Sequence, residues 1–188
     1  MAPIDAPDET WDSREFEGED FTESDLENLR TSGCTFVECD FGSAILSHSR
    51  HEGSAFVACT FAGARLDSAV FAGCKLTASS FADARLRHTE FRGGDLSSVS
   101  LGGITLRDHD FSGIRLAEAN LVDADLSGGT FAGADLRGVR IGNTGLRDAD
   151  LRGARLAGFD PRRADLRGAR IDIEHAVAFA AVFGVVIG

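Results

Sequence analysis

The chain has no tyrosine, and only 3 prolines, 1 tryptophan and 1 methionine among its 188 residues. Bases are also scarce, because 19 lysines and arginines face 30 acids and give a formal net charge of −11. Direct nucleic-acid binders and proteins of anionic membrane surfaces need a basic face, so this balance disfavours both classes. No apolar run reaches the length of a membrane span, and the acidic start at Met1 does not resemble a secretion signal. We therefore expect a cytoplasmic protein.

The sequence does have a period of five. From position 16 to position 171, every fifth residue is Phe, Leu or Ile at 29 of 32 places, the exceptions being Thr31, His51 and Pro161. The residue two places before each of these centres is mostly Ala, Ser or Cys. Neither the 3.6-residue period of a helix nor the 2-residue period of a strand produces this pattern. One short strand and one corner per five residues does, with one large and one small side chain turned inward.

A second period, of twenty, indicates the cross-section. Positions 26 to 166 in steps of twenty are all leucine, and positions 21 to 81 in the same steps are all phenylalanine. Like side chains at every twentieth residue predict four pentads per coil, with each series stacked on one inner face. The predicted fold is all-β, a quadrilateral β-helix of about eight coils over residues 11–171. At about 4.8 Å per coil the column is roughly 38 Å long.

The two ends of the column are predicted differently. Residues 1–10 are expected to form a flexible acidic tail, and residues 172–188 a capping helix with Asp172 as N-cap, Gly184 as stop and a short strand after it. Because the helix is apolar nearly all round, we expect one face to cover the last coil and the other to join a second copy in a homodimer. The alternative is a cap folded deeply into its own chain. The predicted dimer interface consists of Phe179, Val182, Phe183, Val185, Val186 and Ile187.

The residues that most often carry chemistry occupy core positions here. The four cysteines, Cys34, Cys39, Cys59 and Cys74, all take the small inward position, which favours a core role over a metal site or disulfide. His51 stands at a centre and His109 at a small-residue position, outside any catalytic triad order or zinc spacing. A column filled by its own side chains offers no pocket. We therefore expect no enzyme activity, no cofactor and no metal.

The informative surface residues are acids that stand just before the centres and are expected to point outward in regular rows. A solvated surface is the plainest interpretation of these rows, and mimicry of DNA is the other. Residues 1–60 carry 14 acids and 3 bases, whereas residues 61–188 carry 16 of each. Averaged over a dimer the charge is about half as dense as that of DNA, so mimicry would have to depend on local acidic stripes. The candidate partner-binding residues are Asp20, Asp25, Asp40, Glu90, Asp95, Asp110, Asp125, Asp135, Asp150 and Asp165.

Three units, 134–138, 149–153 and 164–168, each read Ala-Asp-Leu-Arg-Gly and resemble the A(D/N)LXX signature of the pentapeptide-repeat family. This resemblance covers residues 16–171 and implies a right-handed quadrilateral β-helix. The uninterrupted register, the stretch 32–56 and the tail 176–181 resemble most the MfpA-like, mycobacterial fluoroquinolone-resistance type.

That type implies a DNA-mimicking dimer that binds DNA gyrase, competes with DNA, modulates supercoiling and confers fluoroquinolone resistance. A small GTPase is a further partner associated with it. The alternative function is a generic cytoplasmic protein-interaction scaffold of the same family with no role at gyrase.

Overall fold

The computed structural model describes residues 4–187, most of which wind into a four-sided column with 20 residues per coil. Neighbouring coils pair in parallel at that offset, as in Phe16 with Phe36 and Phe36 with Phe56. Bridges of the same offset continue to Asp150 and Arg170. The predicted all-β, right-handed quadrilateral β-helix of about eight coils, followed by one C-terminal helix, is confirmed.

Each side of the column is one pentad wide, which keeps the strands short. We number the faces by their centres in steps of twenty: face 1 (11–171), face 2 (16–156), face 3 (21–161) and face 4 (26–166). Face 1 carries a five-stranded parallel sheet and face 2 a three-stranded one, while single bridges and one strand pair continue elsewhere. The strands are β1 (Thr10–Asp12), β2 (Glu15–Glu17), β3 (Arg30–Ser32), β4 (Thr35–Val37), β5 (Arg50–Glu52), β6 (Ala55–Val57), β7 (Val70–Ala72), β8 (Glu90–Arg92), β9 (Thr144–Gly145) and β10 (Ala164–Asp165).

The interior is a set of side-chain stacks that run along the axis. On face 2 the ring centroids of Phe16 and Phe36 are 4.9 Å apart with an interplanar angle of 5°. Phe36 and Phe56 repeat that geometry at 4.7 Å, and Phe36 meets Phe41 of the next face edge-on at 5.5 Å. Offset stacking and edge-to-face contact are the two arrangements that aromatic rings favour. The amino-terminal coils therefore hold a close-packed aromatic core, which leucines continue further along.

The corners lie two residues after each centre, and the backbone there has positive φ. Glycine fills many of these corners, but Glu38 (φ 54°), His48 (φ 61°) and Asp108 (φ 58°) adopt the same conformation. Such backbone is costly for residues with a Cβ. Regular hydrogen bonds between coils hold it in place, for example from the Glu38 N–H to the Val57 carbonyl at 2.9 Å.

The unusual core residues are buried and hydrogen-bonded. His51 lies at a centre of face 1 with Nδ1 2.8 Å from Thr31 Oγ1 and Nε2 3.0 Å from Ser49 Oγ, and its ring stacks on Phe71. All four cysteines are buried free thiols, as predicted. Burial raises the pKa of the Cys59 thiol to about 12 and that of Cys74 to about 11. These positions are therefore packing positions.

The amino-terminal boundary of the column differs from the predicted one. Ala6 is buried and donates its N–H to the Asp25 carbonyl at 2.8 Å, and the Ile4 N–H reaches Ser24 Oγ at 2.9 Å. Residues 4–10 thus already follow the path of a coil rather than forming a separate tail. Residues 1–3 of the expected tail lie outside the described residues.

At the carboxyl-terminal end, a short 3₁₀ turn, Pro161–Arg163, precedes the helix α1, Ile173–Val182. Asp172 takes the N-cap position, but its carboxylate accepts the Gly153 N–H instead of capping the helix. Gly184, at φ 73°, ends the helix as predicted. In the part of the chain that the structure describes, no helix is long and apolar enough to span a bilayer.

The short strand expected after Gly184 is wrong. Residues 185–187 are not extended into a strand. The Val185 N–H returns to the Ala180 carbonyl at 2.9 Å, so the backbone closes on its own helix in a left-handed C-terminal turn.

The buried imidazole of His51 predicts a pH dependence of stability. Burial lowers the pKa of His51 from 6.5 to about 3, so between these values the unfolded chain binds a proton that the folded chain excludes. The free energy of unfolding should fall as the pH drops through this window, with a slope from this residue of up to about 1.4 kcal/mol per pH unit.

Substituting His51→Phe, which extends the ring stack of Phe71, should remove that part of the slope, whereas His48→Gln at an exposed corner should leave it. Urea unfolding midpoints measured between pH 7 and pH 4 test this expectation. An unchanged pH profile in H51F would contradict it.

Candidate acidic interaction surface

The aspartate that precedes a centre has a structural role at its own corner. Asp20 Oδ1 accepts the Thr22 N–H at 2.9 Å, and Asp40 Oδ1 accepts the Gly42 N–H at 2.8 Å. This is the turn that aspartate side chains favour, with the carboxylate bonded to the backbone two residues on. This role was not predicted from the sequence, although the regular two-residue offset between the aspartate and the corner was a signal for it. One oxygen of each such carboxylate is occupied, and the other is left for a partner.

In the carboxyl-terminal coils that partner is an arginine two residues later. Asp135 accepts Arg137 Nε at 2.8 Å and Nη2 at 2.6 Å, and the aspartate is 7% exposed. Hydrogen bonding by the Arg137 guanidinium lowers the pKa of Asp135 to about 2. Asp150 pairs in the same way with Arg152. Asp165 lies against both Arg167 and Arg147, and the described structure therefore leaves little uncompensated charge on these acids.

Face 2 carries a second kind of compensation, an alternating ladder along the axis. The residues just before the centres of this face alternate in charge, with one residue per coil: Lys75, Asp95, Arg115, Asp135 and Arg155. The backbones of each neighbouring pair are joined by a parallel β-bridge. Arg115 Nη1 is 3.1 Å from Asp95 Oδ2. Opposite charges directly across a ladder are favourable, so this face is close to neutral.

The amino-terminal acids are different because arginine is scarce around them. Among the described residues, no lysine or arginine lies within 4.0 Å of a carboxylate before Asp67. Asp20 and Asp40 stand on neighbouring coils of face 3, joined by a parallel bridge. The hydroxyl and N–H of Thr22 lower the pKa of Asp20. We call residues 5–60 the acidic third. Its exposed acids surround the column: Asp5, Asp8, Glu9, Asp12, Glu15, Glu17, Asp20, Glu23, Glu38, Asp40 and Glu52.

The ten acids predicted as one surface thus form two groups. Within the described residues, Asp20, Asp25, Asp40 and Asp110 have no lysine or arginine partner within 4.0 Å. The other six each lie against an arginine: Glu90, Asp95, Asp125, Asp135, Asp150 and Asp165. Glu90 and Asp110, which the twenty-residue period places on neighbouring coils of face 1, are not joined by a backbone bridge.

A separate apolar surface occupies the carboxyl-terminal end. Phe179 is half-buried and stacks on Phe159 of the last coil at 5.8 Å. His175 and Ala180 of the helix are also half-buried, but most of the helix and the residues after it are exposed, with Phe183 61% and Val186 92% exposed. Within the described residues, the large exposed apolar side chains all belong to this end: Ile173, Val177, Val182, Phe183, Val185, Val186 and Ile187. We call them the apolar end.

The uninterrupted period of five is also what comparison with known families recognises. A model of the pentapeptide repeat region matches residues 44–121, and a model of eight pentapeptide repeats matches residues 106–143 and 146–172. The chain belongs to the pentapeptide-repeat family. No curated protein matches it in a sequence comparison.

Solved structures of the family share the fold. A trypsin-treated variant of QnrB1, a plasmid-mediated fluoroquinolone resistance protein, aligns with a TM-score of 0.68 at 21% identity over 97% of this chain and 93% of that one. Full-length QnrB1 aligns with a TM-score of 0.60 at 19% identity, over 94% of this chain and 100% of that one. HetL of the cyanobacterium Nostoc, involved in heterocyst differentiation regulation, gives 0.52 at 23% identity over 86% of each chain. At these identities the likeness shows the repeat column itself.

The double role of the aspartates predicts graded effects of substitution. Asp135→Asn keeps an oxygen for the Arg137 N–H and loses the ion pair, and should cost about 1 kcal/mol or less. Asp135→Ala loses both interactions and should cost more, about 1–2 kcal/mol. Asp40→Asn, which has a corner hydrogen bond but no ion pair, should leave stability unchanged. Urea unfolding at one pH compares the three, and equal losses in D135N and D40N would contradict the assignment.

Proposed function

We propose that this pentapeptide-repeat protein acts in the cytoplasm as a DNA-mimicking homodimer. It binds DNA gyrase, competes with DNA, modulates supercoiling and protects against fluoroquinolones. The observation that carries this proposal is the acidic third, a straight column end whose exposed carboxylates have no arginine partners within it. The proposed role is non-catalytic, since it depends on the surface charges of the column.

Local charge density supports mimicry at this end better than the average over the chain does. Residues 1–60 carry 14 acids and 3 bases. All of these charges lie in the acidic third, whose nearly three coils span about 14 Å at about 4.8 Å per coil. Eleven net charges over that length are one per about 1.3 Å, close to the one per about 1.7 Å of duplex DNA. The remainder of the column is neutral overall. Gyrase surfaces that bind DNA backbone would therefore contact the acidic third.

The dimer places two acidic thirds on one particle. If the apolar end joins two copies, the acidic thirds lie at the outer ends of a rod roughly 77 Å long. Burial of Phe183 and Val186 against a second copy would remove exposed apolar surface that water penalises. The particle would then present two DNA-like segments separated by a neutral middle.

Inhibition of supercoiling by purified gyrase tests the contact residues. D20N/D25N/D40N removes three charges from the acidic third and keeps the corner hydrogen bonds to Thr22, Glu27 and Gly42. We expect the concentration for half-inhibition to rise about tenfold at low salt. The matched control D125N/D150N/D165N removes the same charge from arginine-paired positions and should shift it far less.

Equal shifts in the two variants would mean that only net charge matters. No shift in the first would contradict the assignment of the acidic third. If the unmodified protein at micromolar concentration and low salt has no effect on gyrase, the alternative of a generic interaction scaffold takes its place.

If two copies join through the apolar end, a charged residue placed there should separate them. Val186→Asp places a charge in the proposed dimer contact and should convert the dimer to a monomer at micromolar concentration, with an unchanged circular dichroism spectrum. Light scattering coupled to size exclusion measures the mass. Ala82→Asp, at an exposed position on face 3, is the control and should stay dimeric. A monomeric unmodified protein would refute this interface.

A further inference from the structure

One coil has inward positions that are filled unlike those of the others. The position two places before each centre holds mostly Ala, Ser, Cys or Gly along the column. In the coil that follows Gly94, four such positions in succession hold larger residues: Val99, Ile104, His109 and Ile114. Extra volume in a packed interior forces the surrounding backbone to shift. The sequence therefore marks this coil as overfilled.

Between this coil and the coil before it, the regular backbone hydrogen bonds are missing on two of the four faces. In the described structure, no backbone hydrogen bond joins residues 83–93 to residues 102–113. One coil earlier the equivalent bonds are all present, for example from the Leu66 N–H to the Arg85 carbonyl at 2.8 Å. The N–H groups without the regular partner are those of Asp83, Leu86, His88, Phe91 and Gly93 on one side and of Thr105 and Asp110 on the other. We call this gap the seam. It runs along faces 4 and 1.

The seam is an opening in the column, and it departs from the sequence-based expectation of a column without a pocket. A cleft of about 810 Å³ lies between its two sides, lined by residues 88–93 and by residues 107–110 and 112. His109 is only half-buried in a position where Thr89 of the coil before and Gly129 of the coil after are buried. Its Nε2 has no hydrogen-bond partner in the described structure. His109 follows Thr89 at the same inward position one coil later, and these two residues are together the largest inward pair across the seam.

The other two faces stay closed. On face 3 the Phe81 N–H donates to the Ser100 carbonyl at 3.0 Å, just before the seam, and on face 2 the Leu96 N–H donates to the Arg115 carbonyl at 2.7 Å, just after it. On face 2 the inward residue one coil before Ile114 is Gly94, which has no side chain. Gly94 also has φ 103°, and a Cβ there would lie 2.2 Å from the Cys74 carbonyl oxygen. The open part of the coil therefore ends at a glycine that no other residue can replace without moving the backbone.

We propose that the seam is a hinge, about which the coils before and after it pivot while faces 2 and 3 remain hydrogen-bonded. Ile104 and His109 hold the seam open, and Gly93 and Gly94 absorb the change in backbone direction. Two packed columns joined along only half of a turn have the form of a hinge between rigid bodies. This inference concerns the column alone and does not depend on the proposed partner.

Amide hydrogen exchange on the intact protein is the first test. The amides of Leu86, His88 and Gly93 should exchange at least about tenfold faster than those of Leu66, Ser68 and Gly73, the same positions one coil earlier. The variant I104A/H109A restores the small inward residues and should slow the seam amides toward the rate of that coil. The control I114A, in the same coil on a closed face, should leave the seam amides fast. Equal exchange in the unmodified coils would overturn the hinge.

Spin-label distances separate a moving hinge from a fixed opening. Labels at His88→Cys and Asp108→Cys lie across the seam, and labels at His48→Cys and Ser68→Cys lie across the closed equivalent. The four native cysteines are buried, so introduced surface cysteines are the ones that react. The seam pair should give a distribution roughly twice as wide as the control pair. Two distributions of the same narrow width would show a static gap and overturn the proposal, even if the seam amides exchange quickly.

Discussion

The structure depends on one constraint, that every coil must match the next at an offset of twenty residues. The backbone pairing of Phe36 with Phe16 and Phe56 and the stacking of their rings are two aspects of the same match. Because a solenoid unit contacts only its neighbours, each coil is stabilised locally and has no distant contact to compensate a fault. The interior is therefore largely repetitive from coil to coil, and most of the individuality lies on the exterior.

On that exterior, the distribution of arginine decides which acids remain available. Aspartates before the centres serve their corners at both ends of the column, as Asp20 and Asp150 show. What differs is the neighbourhood, since Arg152 neutralises Asp150 whereas Asp20 is hydrogen-bonded to Thr22 and, within the described residues, has no arginine or lysine partner. The acidic third thus arises as much from missing arginine as from added acid. A sequence count of acids overstates the surface available to a basic partner.

The sequence predicts most of the fold because each residue's number assigns it to a face and to the inside or outside. The burial of His51 and of the four cysteines is predicted by that rule alone. The rule does not predict how side chains pair. It places Asp135 on the exterior but does not indicate that Arg137 donates two hydrogen bonds to its carboxylate. Nor did it predict the turn after Gly184, where hydrogen bonding back to the helix competes with extension. Periodicity specifies position, whereas local partners decide what a residue does there.

The same strictness explains why a departure from the rule has a large and local effect. A globular core can spread the strain of Ile104 or His109 over many neighbours, whereas a coil can transmit it only to the coils above and below. The regular bonds are lost over residues 83–93 and resume at Leu96. The seam therefore lies between the two surfaces with candidate roles, since the acidic third precedes it and the apolar end follows it. A small change of angle at the seam would swing the acidic third relative to the axis of a dimer joined at the apolar end. A column that is otherwise rigid could thereby fit partner surfaces of more than one curvature.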